Sequence, residues 1–379
     1  MVDNKYDWET RMKRRKFIGT HLAAAAGAAV IGNALAGRAA AQTSAPLKVS
    51  RPGGGALRVG LLELDTSHAD TFARAIAAVE GAELVAITNR GMVYGQERTD
   101  KFVADYKVKQ VCDSPEQMVP LVDVAFSIAV NWESHVRDAE PFITAGKPVF
   151  IDKPVVGTER DARKLLELSA KYRTPIFGGS TYRYAPNLPA FKKEFQARDD
   201  RVNVTVYGHI NSHSRYDMLD LIYYGIHGTE LAQEVMGPGA LSVNYVDFYR
   251  KQHLIHVRYD GRPPVVLNLG WARNENEIVL LTDHELVSFV PDHGSPYPAI
   301  LSGLAGSIAT RRADKPINEQ VEACRILIAA GKSRELGRPV ALSELEPDDG
   351  FDGEEFALEY ARFRNLPREV TGPWRGNEL

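Results

Sequence analysis

Titratable side chains fall around two short segments of this chain. Asp152 and Lys153 directly follow an apolar run, and His227 lies inside an otherwise apolar segment. An imidazole titrates near neutral pH, so His227 is a candidate general acid or base. Other histidines and carboxylates fall near the crevice that the predicted elements form: His68, His135, His209, His213, Asp65 and Asp217. Three such ligands and a water would also make a catalytic Zn²⁺-type site.

Metal binding is the alternative rather than the first hypothesis, because the histidine spacing does not match a helical ligand pair. His209 and His213 are four residues apart, but they fall in a predicted strand, where they share a face about 13 Å apart. We therefore predict no metal, and keep as the alternative a divalent metal such as zinc on His68, His135 and His227.

The elements that must position these residues change type near the middle of the chain. Between residues 57 and 180, buried strands alternate with amphipathic helices, which is typical of βαβ units and a parallel sheet. The strands are predicted at 58–62, 83–88, 123–130, 148–151 and 175–177, and the helices at 71–79, 135–144 and 158–172. This pattern predicts a Rossmann-like parallel-sheet domain over 57–180.

From about residue 200, strand-like segments dominate. They cover 201–210, 240–250, 253–259, 263–271, 276–282 and 285–290, with helices predicted at 217–236, 296–312 and 317–336. Runs of strands with few crossovers predict an α+β domain with a mostly antiparallel open sheet over 181–350. Residues 351–379 are a C-terminal tail segment, and the chain as a whole is α/β in class.

The first 41 residues are predicted to be an export signal. Arg14 and Arg15 stand in a basic head, an alanine-rich run diluted by glycine follows, and small residues end it at 39–41. These three parts form a signal peptide, and an arginine pair followed by Phe-Ile resembles the twin-arginine signal. We predict passage through the twin-arginine export machinery to the periplasm, no stable membrane anchor, and a flexible linker over 42–56.

The amino-acid composition excludes several classes of protein and of binding site. The chain has 379 residues, of which 44% are hydrophobic and 25% charged, as in a soluble globular protein of two domains. Its formal net charge of −3 gives no attraction to nucleic acid, and no nucleic-acid partner is predicted. Two cysteines, Cys112 and Cys324, cannot build a disulfide framework or a four-cysteine metal site.

Four stretches, read in order, resemble the Gfo/Idh/MocA family of sugar oxidoreductases. They are the strand–turn–helix opening at 59–68, the segment 131–135 that ends in histidine, the Ala-Gly-Lys-Pro to Asp-Lys-Pro stretch at 145–154, and Gly-Ile-His-Gly-Thr-Glu at 225–230. The resemblance extends over nearly the whole chain after the signal. It implies hydride transfer at a sugar carbon, with Lys153 contacting nicotinamide ribose and substrate and His227 acting as general acid/base.

The same resemblance, read with the strand ends, implies where ligands bind. The residues expected to hold the dinucleotide are Thr66, Ser67, His68, Asn89, Arg90, Asn131, His135, Asp152 and Lys153. Candidate substrate contacts are Arg183, Tyr184 and Asp220. A small-molecule carbohydrate is the expected ligand, and a homo-oligomer is expected by analogy.

The glycine-rich loop of a dinucleotide site is missing. Where Gly-x-Gly-x-x-Gly usually follows the first strand, this chain has Glu63, Asp65 and His68. Two carboxylates would then face a pyrophosphate, at a repulsion of about 3 kcal/mol for unit charges ~5 Å apart at an effective dielectric of ~20. Thr66 and Ser67 still offer hydroxyl and backbone donors at the helix start.

Two further departures bear on the cofactor and the chemistry. The second strand ends in Asn89-Arg90 instead of an acidic residue, which favours NADP over NAD. Tyr223 stands where the family commonly has an aspartate, one turn before the central histidine, so its phenol is a candidate acid/base. Asp220 lies two helical turns before His227 and would share its helical face.

These observations predict an exported oxidoreductase that acts on a sugar or polyol with a tightly retained NAD(P), because free nicotinamide cofactor is scarce outside the inner membrane. The alternative is a cofactor-free or metal-dependent carbohydrate lyase or hydrolase on the same fold, favoured by the divergent loop and Tyr223. A non-catalytic sugar-binding protein is the third hypothesis.

Overall fold

A parallel six-stranded sheet forms the first half of the molecule. The computed structural model describes residues 48–51, 54–271, 275–292, 296–313 and 315–365; the predicted signal over 1–41 lies outside them. The strands are β1 Leu57–Leu62, β2 Ala82–Thr88, β3 Gln110–Cys112, β4 Val124–Ser127, β5 Val149–Ile151 and β6 Ile176–Gly178. Their order is β3-β2-β1-β4-β5-β6, and every pair is parallel.

Helices connect these strands and cover the sheet. They are α1 Ser67–Ala77, α2 Gln96–Tyr106, α3 Pro115–Met118, α4 Glu133–Thr144 and α5 Glu159–Tyr172. Thr158 caps the start of α5 by accepting from the amide of Asp161, and Arg173 ends it in the left-handed region. The apolar run of β1 is buried along almost its whole length, as expected for a parallel strand covered on both faces.

A seven-stranded sheet forms the second half. Its strands are β7 Arg201–His209, β8 Ala240–Tyr249, β9 Gln252–Tyr259, β10 Val265–Gly270, β11 Glu277–Thr282, β12 Leu286–Phe289 and β13 Val340–Ala341. The order is β12-β11-β7-β10-β9-β8-β13; β7 and β10 pair in parallel and the other pairs are antiparallel. The predicted fold class, a Rossmann-like domain followed by a mostly antiparallel open sheet, is therefore confirmed.

The remaining helices belong to this half or join the halves. They are α6 Leu188–Ala197, α7 Asp217–Asp220, α8 Ile226–Met236, α9 Pro296–Thr310, α10 Ile317–Leu336 and α11 Gly353–Asn365. Every residue of α8 is buried. Gly228 makes this close packing possible, because a Cβ there would lie 2.9 Å from Leu269 Cδ2. No helix in the described ranges is long and apolar enough to cross a membrane.

Two local predictions differ from the structure near the site. The helix predicted over 217–236 is divided by a π turn at Leu221–Gly225, so Asp220 and His227 are not joined by a regular α-helix. The strand predicted over 201–210 ends at His209, and His213 lies in the loop that follows. The pairing of His209 and His213 on one strand face was therefore wrong. Helices α2, α3, α6 and α11 and strand β3 were not predicted.

Candidate active site

The carboxyl ends of β1 and β4 meet at the point where the strand order reverses, which is where open α/β sheets bind ligands. A cavity of about 500 Å³ opens there. Its lining combines acidic and basic side chains with the loop amides: Glu63, Asp65, Arg90, Asn131, Ser134, Arg137 and Glu354. The loops after β1, β2 and β4 thus line one cavity, and of the predicted cofactor residues Arg90 and Asn131 are among its lining.

The loop after β1 keeps the backbone shape that a glycine usually provides. Glu63 has φ +78° and is buried. Its carboxylate accepts hydrogen bonds from Thr88 Oγ1 at 3.1 Å, from the Arg90 amide at 2.8 Å and from Arg90 Nε at 2.6 Å. A non-glycine residue in the left-handed region is strained, and these three bonds hold it there.

Asp65, two residues further on, is a buried carboxyl with an unsatisfied oxygen. Its Oδ2 accepts the Val130 amide at 3.1 Å, whereas Oδ1 has no hydrogen-bond partner among the described residues. Burial, followed by the negative charge of Glu63, raises the pKa of Asp65 to about 7. Near neutral pH this group is therefore partly protonated, and it can then donate a hydrogen bond.

The side chain of Thr66 caps the start of α1. Thr66 Oγ1 accepts the His68 amide at 3.2 Å, and the Ser67 carbonyl accepts Thr71 Oγ1 at 3.0 Å. Thr66 is buried, while Ser67 is half-buried. These two predicted cofactor residues lie at the β1 end, beside the cavity's acidic loop.

Arg90, the predicted contact for a 2′-phosphate, is held between two carboxylates. It pairs with Glu63 and makes a bidentate pair with Asp138. Burial lowers the pKa of Arg90, but hydrogen bonds and charges of the two acids outweigh it and raise the pKa. Asn89 donates to the Tyr94 carbonyl at 3.1 Å and to Thr99 Oγ1 at 2.8 Å, so its amide shapes the turn after β2.

The loop after β4 brings Asn131 and His135 to the same end of the sheet. Asn131 lines the cavity, and its Oδ1 accepts the Glu133 amide at 3.0 Å. His135 is buried, with Nδ1 3.0 Å from the Pro154 carbonyl and Nε2 2.8 Å from the Ala129 carbonyl. Both ring nitrogens face backbone oxygens, so His135 fixes the loop and offers no lone pair to a metal.

Asp152 and Lys153 follow β5 and are buried. Asp152 Oδ2 lies 2.6 Å from His68 Nδ1. Burial raises the pKa of Asp152, yet the charge and hydrogen bond of His68 outweigh this effect and the net shift is downward. The Lys153 ammonium lies 3.5 Å from the centre of the Tyr223 ring and 5.1 Å from that of Tyr224. Its Nζ also donates to the Tyr223 carbonyl at 3.2 Å.

His227, on α8, faces this lysine. Its Nδ1 lies 2.7 Å from Ser180 Oγ, and the rings of Tyr182 and Tyr224 contact it edge-on. Burial, then the positive charges of Lys153 and His68, hold the pKa of His227 well below 6.5. The imidazole is therefore neutral at physiological pH and able to accept a proton.

Ser180, Tyr182 and Tyr224 were not predicted as site residues. Ser180 comes directly after β6, and the carboxyl end of a parallel strand was a signal that could have identified it. Tyr224 became a neighbour of Lys153 through the π turn, which no periodicity argument indicates.

The predicted substrate residues are placed differently. The Arg183 side chain is fully buried and pairs with Glu230 and Glu234, so it lies in the interior rather than at a ligand surface. Tyr184 is buried beneath the Lys315 ammonium, 5.6 Å from its ring centre. Asp220 Oδ1 accepts the amides of His213 and Ser214 at 2.9 and 3.1 Å, and this carboxyl shapes the loop after β7.

The three histidines proposed as alternative metal ligands each bind a different partner. His68 bonds Asp152, His135 bonds two carbonyls and His227 bonds Ser180. Within the described ranges, no group of three His, Cys, Asp or Glu residues is arranged to hold a metal ion.

Comparison with known proteins agrees with this geometry. Residues 59–179 match the model of the Gfo/Idh/MocA oxidoreductase family, NAD-binding Rossmann fold. Inositol 2-dehydrogenase from Serratia proteamaculans (strain 568) is 27% identical over 118 residues, which are 31% of this chain and 34% of that enzyme. The match thus spans about a third of the curated relative's length.

Solved structures resemble a larger part of the chain. A probable dehydrogenase from Thermotoga maritima superposes with a TM-score of 0.66 at 17% identity, covering 76% of this chain and 100% of that one. The myo-inositol dehydrogenase of Lactobacillus casei, in complex with NAD(H) and myo-inositol, superposes with a TM-score of 0.65 at 15% identity, covering 76% and 96%. At these identities the likeness shows a shared two-domain fold. Residues 59–179 are therefore similar to the NAD-binding Rossmann domain of the Gfo/Idh/MocA oxidoreductase family, as the sequence motifs predicted.

Proposed function

We propose that this protein is an NAD(P)-dependent oxidoreductase that acts on a hydroxyl group of a sugar or polyol. One observation carries the proposal: a buried ammonium, Lys153, and a buried neutral imidazole, His227, lie against the same Tyr224 ring, 5.1 and 5.4 Å from its centre, close enough for the lysine charge to lower the pKa of the imidazole. The family match and the inositol dehydrogenases among its relatives support the substrate class.

In the proposed reaction Lys153 and His227 have different roles toward the substrate hydroxyl. Lys153 donates a hydrogen bond to the substrate oxygen and so stabilises the negative charge that develops there. With Nδ1 donating to Ser180 Oγ, His227 holds its lone pair on Nε2 and takes the hydroxyl proton. The dinucleotide, when bound, supplies the hydride acceptor.

The residues around the cavity fit a dinucleotide better than their formal charges suggest. The charge of Glu63 is balanced by Arg90. Asp65, with its pKa near 7 and its unpartnered Oδ1, can donate to a phosphate oxygen in the protonated state. These two contacts reduce the repulsion that two carboxylates would otherwise exert on a pyrophosphate.

The preference for NADP over NAD rested on Arg90. Because Glu63 and Asp138 both bind its guanidinium, a 2′-phosphate would have to compete with two carboxylates. We therefore propose NAD as the preferred cofactor. Titration of purified protein with each dinucleotide tests this, and tighter binding of NADP would overturn it.

The first experiment asks whether a dinucleotide is present and used. Protein purified without added cofactor is denatured, and the supernatant is assayed for NAD and NADP. We expect close to one equivalent, and reduction of the bound cofactor by at least one member of a panel of inositols and sugars. Absence of dinucleotide, together with no binding on titration, would exclude this function and favour the non-redox alternative.

Single substitutions then test the two side chains. Lys153→Ala and His227→Ala should each lower kcat by about 10²–10⁴-fold, since each removes an interaction that is strongest in the transition state. His256→Gln, at an exposed histidine of β9, is the matched control and should leave kcat unchanged. Wild-type kcat in both active-site variants would contradict the mechanism.

The proposal includes export and self-association. The basic head with Arg14 and Arg15 supports periplasmic localisation with the cofactor already bound. Exposed apolar side chains on the second sheet, such as Leu281 and Leu286, support a homo-oligomer. Light scattering tests the assembly, and a monomer at micromolar concentration would contradict it.

A further inference from the structure

The C-terminal helix α11 joins both domains at the mouth of the site. At its start, the Gly353 amide donates to Glu133 Oε1 at 2.9 Å, and a Cβ on Gly353 would lie 2.6 Å from Asn131 Oδ1. The Trp132 ring stacks on Phe356 with 5.0 Å between ring centres. Trp132 Nε1 also donates to the Phe351 carbonyl at 3.0 Å. The loop after β4 is therefore fastened to α11.

The other end of α11 reaches the loop after β2. Arg364 Nε donates to Tyr94 Oη at 3.0 Å, and the Tyr94 carbonyl in turn accepts the Asn89 side chain. Glu354, in the first turn, lines the 500 Å³ cavity together with Arg90 and Asn131. The helix thus contacts the β4 loop at its start and the β2 loop at its end, and its first turn lines the cavity.

A third set of contacts ties α11 to the catalytic lysine. Phe356 packs on Tyr223 with 4.4 Å between ring centres, and Tyr360 contacts Tyr223 at 5.9 Å. The same Tyr223 ring also carries the Lys153 ammonium, 3.5 Å from its centre. A cation over an aromatic face is held while the ring keeps its orientation, and Phe356 is the nearest aromatic ring packed on Tyr223, so Phe356 contributes to the position of Lys153.

From these contacts we propose that α11 is a clasp over the dinucleotide crevice and that Phe356 is a positioning residue for Lys153, acting through Tyr223. The proposal rests on the proposed function for the identity of the bound group. It accounts for retention of a cofactor, because release requires the Trp132–Phe356 and Arg364–Tyr94 contacts to open. It also assigns Tyr223 a role through its ring face.

The test compares Phe356→Ala with Leu358→Ala, a control on the same helix whose side chain is 58% exposed. Dissociation of bound dinucleotide is followed by dilution into a trap. We expect Phe356→Ala to release it about tenfold faster or more, with a lowered kcat, and Leu358→Ala to match the wild type. Phe356→Leu, which keeps an apolar side chain in the gap, should recover part of the loss.

A second readout needs no cofactor. Reductive methylation of the folded apo protein, followed by peptide mass spectrometry, reports the accessibility of Lys153, with exposed Lys109 as the internal standard. Phe356→Ala should raise labelling of Lys153 severalfold and leave Lys109 unchanged. Unchanged labelling in a folded variant would overturn the positioning role, and unchanged release would overturn the clasp. Failure of the wild type to bind any dinucleotide would instead refute the proposed function.

Discussion

Glu63 and Asp65 lie in one loop, yet their carboxyl groups have different hydrogen-bond and charge partners. Glu63 is paired with Arg90 and accepts three hydrogen bonds, whereas Asp65 has one bonded oxygen and one without a partner in the described structure. Burial penalises the unpaired charge, which is why the proton stays on Asp65 to about pH 7. Two carboxyl groups that look alike in the sequence therefore differ in charge once the chain is folded.

This difference predicts how stability depends on pH. The pKa of Asp65 is about 7 in the fold and 3.8 as its ordinary value, so the folded protein binds the proton more tightly. That contribution is fully present below about pH 4 and is lost as the pH rises through 7. Asp65→Asn mimics the protonated form, and its free energy of unfolding should therefore exceed that of the wild type at about pH 8 by up to a few kcal/mol.

Urea denaturation at about pH 5 and pH 8 measures the effect. The gap between Asp65→Asn and the wild type should be larger at the higher pH. Asp105→Asn, at an exposed aspartate, controls for the change of net charge. Parallel pH profiles for Asp65→Asn and the wild type would show that Asp65 is ionised throughout.

At the scale of elements, a buried ionic network joins the turn after β6 to α8. Arg183, in the 3₁₀ turn Thr181–Tyr184, pairs with Glu230 and Glu234 of α8. Glu230 also accepts the Ser180 amide at 2.7 Å, and Ser180 holds His227. Burial raises the pKa of Glu230 despite Arg183. For Glu234 the opposing charges of Arg183 and Lys315 overcome burial and lower the pKa to about 2.

Removing the arginine should destabilise the protein strongly. Arg183→Met leaves two buried carboxylates without their main cation, at a cost of about 3–5 kcal/mol in unfolding free energy. The double variant Arg183→Met, Glu230→Gln should lose less than the single variant, because one uncompensated charge is also removed. Denaturant melts measure both, and Arg160→Met, in an exposed pair with Asp348, is the control. Equal stability of Arg183→Met and the control would contradict the network's role.

Periodicity predicted most of the elements because their apolar faces are local properties of the chain. It did not predict the π turn at Leu221–Gly225, since one extra residue in a buried helix leaves no trace in an all-apolar pattern. It also did not predict α11, whose buried aromatic residues Phe356 and Tyr360 pack on Trp132 and Tyr223. The position of α11 depends on contacts with residues that are distant in the sequence.

At the scale of the whole molecule, the proposed twin-arginine export requires that folding come first. The twin-arginine route carries folded proteins, so a dinucleotide held beneath α11 would cross the membrane with the chain. Arg14→Lys combined with Arg15→Lys should leave the protein in the cytoplasm of a bacterial host, as cell fractionation measures. Arg11→Lys, outside the pair, is the control. Equal periplasmic recovery of the double variant would contradict twin-arginine export.

The sequence by itself determined the fold class and the resemblance of residues 59–179 to a known family, and it identified Lys153 and His227 as candidates, because strand–helix alternation and short motifs are local and survive without knowledge of packing. Only the tertiary structure decided which charges meet. Arg90 binds Asp138, 48 residues away, and Trp132 binds the Phe351 carbonyl, 219 residues away. The pKa values and the closure of the crevice follow from such long-range contacts, since burial and charge proximity are properties of packed elements and not of neighbours in the chain.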